Sequence, residues 1–256
     1  FNPEGSKASV KVKAELDRKF EKENDAVKFL EECKGAAFAI ASVEEKEGKR
    51  TPSAPFTTST LQQEASRKLG FSLSQTMRVA QNLYESGFIT YMRTDSTNLS
   101  QLAVNAAKQT ITQLYGAEYS KPRQYATKTK GAQEAHEAIR PTYIANQEIE
   151  AGPQERKLYN LIWKRTVASQ MSDAVIKRTQ ITINNDKNAE KFTASADRVL
   201  FDGFLKLYIE SKDDEQDNEE STLLLPELIK GQKMNRIDIT ASVKYTQTPP
   251  RYTEAS

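Results

Sequence analysis

One cysteine and one histidine in 256 residues bound this chain before any motif is considered. Cys33 alone excludes an internal disulfide, which fits a reducing, cytoplasmic compartment. Cys33 and His136 are too few for a zinc site of the usual kind. No apolar run approaches the ~18 residues of a membrane-spanning helix, and nothing reads as a signal peptide. Charge of one sign is also missing. Lys and Arg total 37 against 35 Asp and Glu, a net of +2, so any nucleic-acid-binding surface must be local. There are no internal repeats. Phe1 in place of methionine suggests a piece of a longer polypeptide.

What is present is a change of period along the chain. Residues 8–16 (ASVKVKAEL) alternate apolar and charged side chains, as a strand with one wet face does. Asp25 is placed to cap a short helix through Lys34, with Cys33 on its inner face and Gly35 as terminator. Residues 36–43 form a more buried strand, and Pro52 and Pro55 mark a boundary. From Thr57 the period becomes helical. Leu61, Ala65 and Leu69 recur up to Gly70. Ser72 or Ser74 opens a second helix with Met77, Ala80, Leu83 and Tyr84 as its apolar face and Gly87 as its stop. Thr97 or Ser100 opens a third, with Leu102, Ala103, Ala106, Ala107, Ile111 and Leu114 inward, and residues 154–171 form a strongly amphipathic fourth with Trp163 beside its core face. After Ser172 the period returns to two, predicting strands at 178–183, 191–198, 204–209 and 234–245. Residues 210–221 are acidic and free of apolar side chains. Asp213, Glu215 and Asp217 lack the glycine and terminal Glu of a calcium loop, so they read as a solvated loop.

The expected architecture is therefore multi-domain α+β. A mainly helical domain, residues 51–172, is inserted into a β-rich domain made of residues 1–50 and 173–256. Two helices joined by a tight turn and followed by an extended segment suit a winged-helix-like unit. Residues 119–131 (YSKPRQYATKTKG) interleave Lys121, Arg123, Lys128 and Lys130 with Tyr119 and Tyr125, a pattern suited to single-stranded DNA.

The stretch GFITYMRTDSTNLS, residues 87–100, carries the sharpest chemistry. Phe88, Ile89 and Thr90 favour extended backbone, where residues two apart lie ~7 Å from each other on one side. Tyr91 and Arg93 can then flank one anionic atom. A free phenol, with a pKa of about 10, is ionised in only about one molecule in a thousand at neutral pH. A nearby guanidinium favours the phenolate and also stabilises charge on a phosphoryl oxygen. The pair suits attack by tyrosine on a phosphodiester.

GFITYMRTDSTNLS resembles the active-site signature of the bacterial type IA DNA topoisomerases. PFTTSTLQQEASRKLGFS (55–72) and AQEAHEAIRPT (132–142) resemble the same family, in its order and at similar spacing. The resemblance implies that Tyr91 is the nucleophile, forming a 5′-phosphotyrosyl link with single-stranded DNA, and that Arg93 positions the scissile phosphate. It places His136, Gln81, Glu85, Thr90 and Arg140 as DNA-binding or active-site neighbours. The residue types leave other roles open. Gln81 and Glu85 are i, i+4 partners on a polar face, Thr90 also suits a strand, and Arg140 can pair with Glu137. The resemblance further implies Mg²⁺ in the parent enzyme with ligands outside this chain, no ATP, a nucleoid-associated protein, and the remaining domains of the same polypeptide as partners. Nothing here matches the family's metal-binding domain, so the chain reads as the strand-passage arch, with the β-rich domain as its hinge. The alternative is a non-enzymatic helix-turn-helix-like DNA-binding module. Arg78 is the only basic residue of its presumed recognition helix, 74–85, few for phosphate contacts.

Overall fold

The computed structural model describes residues 1–5, 11–125, 137–209, 228–246 and 248. Among these the chain is mixed α+β. It runs β1 (Asn2–Pro3), β2 (Glu15–Leu16), α1 (Glu23–Lys34), β3 (Phe38–Arg50), α2 (Thr58–Leu69), α3 (Leu73–Glu85), α4 (Gln101–Tyr115), α5 (Pro153–Ser169), β4 (Ala174–Asn185), β5 (Lys191–Phe201) and β6 (Lys233–Asn235), with short 3₁₀ turns at Ala117–Tyr119 and Gly203–Lys206. The strands form one sheet in the order β1-β6-β3-β4-β5-β2. Asn2 lies opposite Asn235, Phe38 opposite Met234, and Glu15 opposite Thr193, all in antiparallel pairs.

The described residues cluster into two compact units, one built from Phe1–Gly48, Ile176–Leu200 and the described part of 216–249, the other from Lys49–Val175 with 201–209. The first has a core of aromatic and β-branched side chains. Phe1 meets Phe38 and Phe192 edge-on at 5.1 and 5.4 Å between ring centres. Ile181, Ile183, Phe192 and Ala194 are buried at alternate positions of β4 and β5, as a sheet with one wet face requires. α1 presses Phe29 and Cys33 onto that core.

The second unit is helical, and its helix ends are written in the sequence. Thr57 and Thr60 exchange side chain-to-backbone hydrogen bonds at the start of α2, and Gly70 ends it in the left-handed region at φ 66°. Ser72 caps α3 and Ser100 caps α4. α5 is more than amphipathic: every residue from Arg165 to Ser169 is buried. Its polar ends are satisfied inside. The Tyr159 hydroxyl donates to the Asn146 carbonyl at 2.6 Å and the Trp163 indole to the Ile144 carbonyl at 2.8 Å. Burial pushes the Tyr159 phenol up to about 12. Fully burying side chains such as Phe56, Leu61, Ile139 and Ile162 contributes ~1.5–3 kcal/mol each.

Several local expectations are corrected. Residues 204–209 are not a strand. Gly203 has φ +51°, and a Cβ there would lie 2.5 Å from the Ser172 and Asp173 carbonyl oxygens, so the chain turns sharply against another backbone. Phe204 and Tyr208 are thereby buried in the helical unit. The strand expected over 234–245 is only Lys233–Asn235. Ile237, Val243 and Tyr245 beyond it are exposed, because alternation describes any extended chain and pairing needs a neighbour. Asp25 sits in the first turn of α1, whose N-cap is Lys22, so it favours the helix through the dipole and not as a cap. On α4 the inward stripe is Ala103, Val104, Ala107, Thr110 and Ile111, which leaves Leu102 and Leu114 exposed on the flanks. Residues 8–10 and the acidic stretch 210–221 lie outside the described residues.

Candidate active site

Three sequence stretches meet in the helical unit. Ile139 N–H donates to the Phe56 carbonyl, and Ala138 N–H to the Asn98 carbonyl. Thr90 N–H donates to the Arg140 carbonyl and Thr142 N–H to the Phe88 carbonyl, both at 2.9 Å. Residues 137–142 thus lie between the entry to α2 and the segment that follows α3. Gly87, at φ +75°, turns the chain out of α3 into that segment. Two of these pairings, Phe56 with Ile139 and Ile89 with Pro141, are isolated antiparallel bridges.

Tyr91 emerges from this weave. The backbone bends at Met92 and Arg93 and is not a regular strand, yet burial still alternates. Met92, Thr94 and Ser96 are buried; Tyr91, Arg93 and Asp95 are exposed. Met92 is anchored in the core at 1% exposure, whereas Tyr91 exposes 44% of its surface. Thr58, in the first turn of α2, fixes the bend. Its hydroxyl donates to the Met92 carbonyl at 2.8 Å and accepts from Thr94 N–H at 2.9 Å, while its own N–H donates to the Thr94 carbonyl. The Thr94 and Ser96 hydroxyls in turn accept from Ser96 and Asn98 N–H. The run of short polar residues is therefore half scaffold. Thr58 was not foreseen as a site residue. Its signal lay in PFTTST, where it follows the helix cap.

The second residue not foreseen is Tyr84. Assigned from periodicity to the inner face of α3, it is 41% exposed. Its ring meets that of Tyr91 edge-on, with centroids 5.3 Å apart and planes at 67°. Gln81, one turn before Tyr84, and Glu85, the residue after it, are joined to each other by a 2.6 Å hydrogen bond on the same helix. Gln81 at i−3 shares a helix face with Tyr84, and its bond to Glu85 puts the pair along one side of that face.

The remaining site residues are tied inward. The Thr90 hydroxyl donates to the Ala138 carbonyl at 2.7 Å and accepts from Arg140 N–H at 3.0 Å. The Arg140 guanidinium, 12% exposed, pairs with Glu137 at 2.5 Å and donates to the Pro141 carbonyl at 2.9 Å. Glu137 also accepts from Ser100 N–H at the start of α4. Burial pushes the Glu137 carboxyl up, but the hydrogen bonds from Ser100 and Arg140 outweigh it and hold the group below its ordinary value. His136, next in line, lies outside the described residues, as do Lys128 and Lys130.

The described part of the cationic loop departs from its expected role. Tyr119 is buried and donates to Asp202; Tyr125 donates to the Ser169 and Pro52 carbonyls; Lys121 and Arg123 both pair with Asp173. These cations and aromatics build structure, because a carboxylate and open carbonyls lie within their reach. Among the described residues no group of three or more His, Cys, Asp or Glu could hold a metal ion. No described helix is long and apolar enough to cross a membrane.

The family model described as DNA topoisomerase matches residues 3–256. The chain is 50% identical to the DNA topoisomerase 1 of Synechocystis sp. over 243 residues, covering 91% of this chain and 26% of that protein. It is 51% identical to the DNA topoisomerase 1 of Streptomyces coelicolor over 230 residues, covering 86% and 24%. The solved full-length topoisomerase I of Thermotoga maritima superposes with a TM-score of 0.71 at 33% identity, over 95% of this chain and 40% of that one. The chain spans about a quarter of the length of these curated relatives.

Proposed function

The chain belongs to the bacterial type IA DNA topoisomerases, and from that membership we propose that it carries the tyrosine nucleophile of such an enzyme. The observation that carries the proposal is an exposed Tyr91 beside an exposed Arg93, held where three motif stretches converge. In this reading the Tyr91 oxygen attacks a phosphodiester of single-stranded DNA. A bond forms between that oxygen and the 5′ phosphate, the bond to the 3′ oxygen breaks, the phenol gives up its proton and the departing 3′ oxygen takes one. One phosphodiester replaces another, so the freed 3′ hydroxyl can reverse the step after strand passage without ATP. Arg93 binds the scissile phosphate and offsets the charge that develops on it. Thr58 and Thr90 act one layer below, holding the backbone on either side of Tyr91.

Gln81, Glu85 and His136 are assigned to the rim of the DNA site, and Arg140 to holding the Glu137–Thr142 segment beneath it. Residues 51–172, joined by 201–209 packed into their core, form the helical domain, with α2 and α3 as a winged-helix-like pair, and the rest of 1–50 and 173–256 the hinge of a strand-passage arch. The parent enzyme uses magnesium, with ligands from outside this chain. The protein acts in the cytoplasm on the nucleoid, with the rest of its polypeptide as partner.

The test is an end-labelled single-stranded oligonucleotide mixed with this chain, with and without the complementary portion of a relative and magnesium, and resolved on a denaturing gel. A covalent adduct is expected that needs both pieces and disappears in Tyr91→Phe. The chain alone is not expected to relax supercoiled DNA. Binding without an adduct under every condition, unchanged in Tyr91→Phe, would replace this reading with that of a DNA-binding module.

A further inference from the structure

We propose that Tyr84 is a base-stacking platform beside the nucleophile, taking one nucleobase of the single strand whose phosphate Tyr91 attacks; the proposal rests on the functional reading above. The ring is exposed where helical periodicity would bury it. α3 turns Val79, Ala80 and Leu83 into the core, each at 1% exposure or less, and the adjoining Tyr84 stays 41% exposed. Its ring packs against that of Tyr91. The two planes stand at 67° and 5.3 Å, so together they make an aromatic corner open to solvent. A base lies within one nucleotide of its own phosphate, so a strand with a phosphate at the Tyr91 oxygen brings a base to that corner. Stacking on a neutral ring suits any base, and it selects single strands because duplex bases are already stacked.

The polar border fits the same occupant. Gln81 and Glu85 are hydrogen-bonded to each other next to Tyr84, which leaves carbonyl and carboxylate acceptors for the amino edges of a base. An anionic border of this kind disfavours a second phosphate there, so it separates the base subsite from the Arg93 side, where the phosphate belongs. Gly87 N–H donates to the Tyr84 carbonyl and the Thr58 hydroxyl to the Met92 carbonyl, and a change of the Tyr84 side chain leaves both bonds in place.

The experiment uses this chain and short single-stranded oligonucleotides with 2-aminopurine placed at successive positions. Affinity is read by anisotropy of a distant label and stacking by quenching of the 2-aminopurine. Wild type should quench the probe strongly at one position only. Tyr84→Leu should lose that quenching and bind the single strand about tenfold more weakly, the loss of one base–aromatic stack. Tyr84→Phe should retain both within about twofold, and duplex affinity should be the same for all three. Equal quenching in wild type and Tyr84→Leu would falsify the platform, and a Tyr84→Phe defect as large as that of Leu would overturn it in favour of a role for the hydroxyl. Loss of the Tyr91-dependent adduct reading, by contrast, would show as a wild type that binds duplex and single strand alike and quenches at no position.

Discussion

The Thr58 hydroxyl donates a 2.8 Å hydrogen bond to the Met92 carbonyl, joining the first turn of α2 to the residue that follows Tyr91. The same oxygen accepts from Thr94 N–H. One side chain thus holds both flanks of Arg93, and it does so from a position 34 residues before Met92. Exposed residues that must keep a fixed direction need such a scaffold, because their own contacts are few.

Thr58→Val keeps shape and removes this bonding. It leaves the Thr94 N–H and the Met92 carbonyl short of a partner, so a loss of ~1–3 kcal/mol is expected. Thr58→Ser should recover most of it. Chemical denaturation measures the stability. On the functional reading, the yield of Tyr91 adduct should fall more in Val than in Ser.

Acid sensitivity follows from Asp173 and Glu137. Burial pushes the Asp173 carboxyl up, but the hydrogen bond from Lys121 and the charge of Arg123 hold it below its ordinary 3.8. A carboxylate depressed in the fold contributes fully above its unfolded pKa and loses that contribution as pH falls through the folded one. Glu137, depressed from 4.5, acts in the same direction. Melting temperature should be flat from about pH 7 to pH 5 and fall below about pH 4. Asp173→Asn should melt lower at neutral pH and lose less on acidification. An equal acid slope in the variant would contradict the assignment.

Two glycines separate backbone strain from crowding. Gly70 and Gly203 both have positive φ, but a Cβ on Gly70 meets open space and one on Gly203 meets two carbonyl oxygens at 2.5 Å. Gly70→Ala should cost about 1 kcal/mol, the left-handed penalty alone. Gly203→Ala should cost clearly more, since rigid backbone must also move. Parallel urea titrations give the comparison.

Cys33 is 1% exposed, and burial raises its thiol pKa. It should react with a thiol-specific disulfide reagent only as fast as its unit opens, with the rate climbing in step with denaturant. Prompt labelling in native buffer would show that α1 is not packed as described.

Much of the helical unit was legible because its signals are local. Thr57, Ser72 and Ser100 cap helices through their own side chains, Gly70 and Gly87 stop them, and a 3.6-residue period marks Leu61, Ala65 and Leu83 as inward. The buried state of Cys33 followed in the same way. Where a helix edge was concerned the period failed. Leu102, Leu114 and Tyr84 are hydrophobic enough to be counted inward, but a few tens of degrees around the helix decide exposure.

By itself the sequence determined where helices begin and end, which motif residues are present and in what order, and the family to which the chain belongs. Those depend on residues close together in the chain. Tertiary structure alone decided that Thr58 reaches Met92, that Arg123 and Lys121 meet Asp173, that residues 204–209 turn instead of pairing, and that Tyr84 stands beside Tyr91. Each depends on which distant backbone or charge comes within about 3 Å, the reach of a hydrogen bond. Side-chain type limits what such a group can do, and only the folded chain supplies its partner.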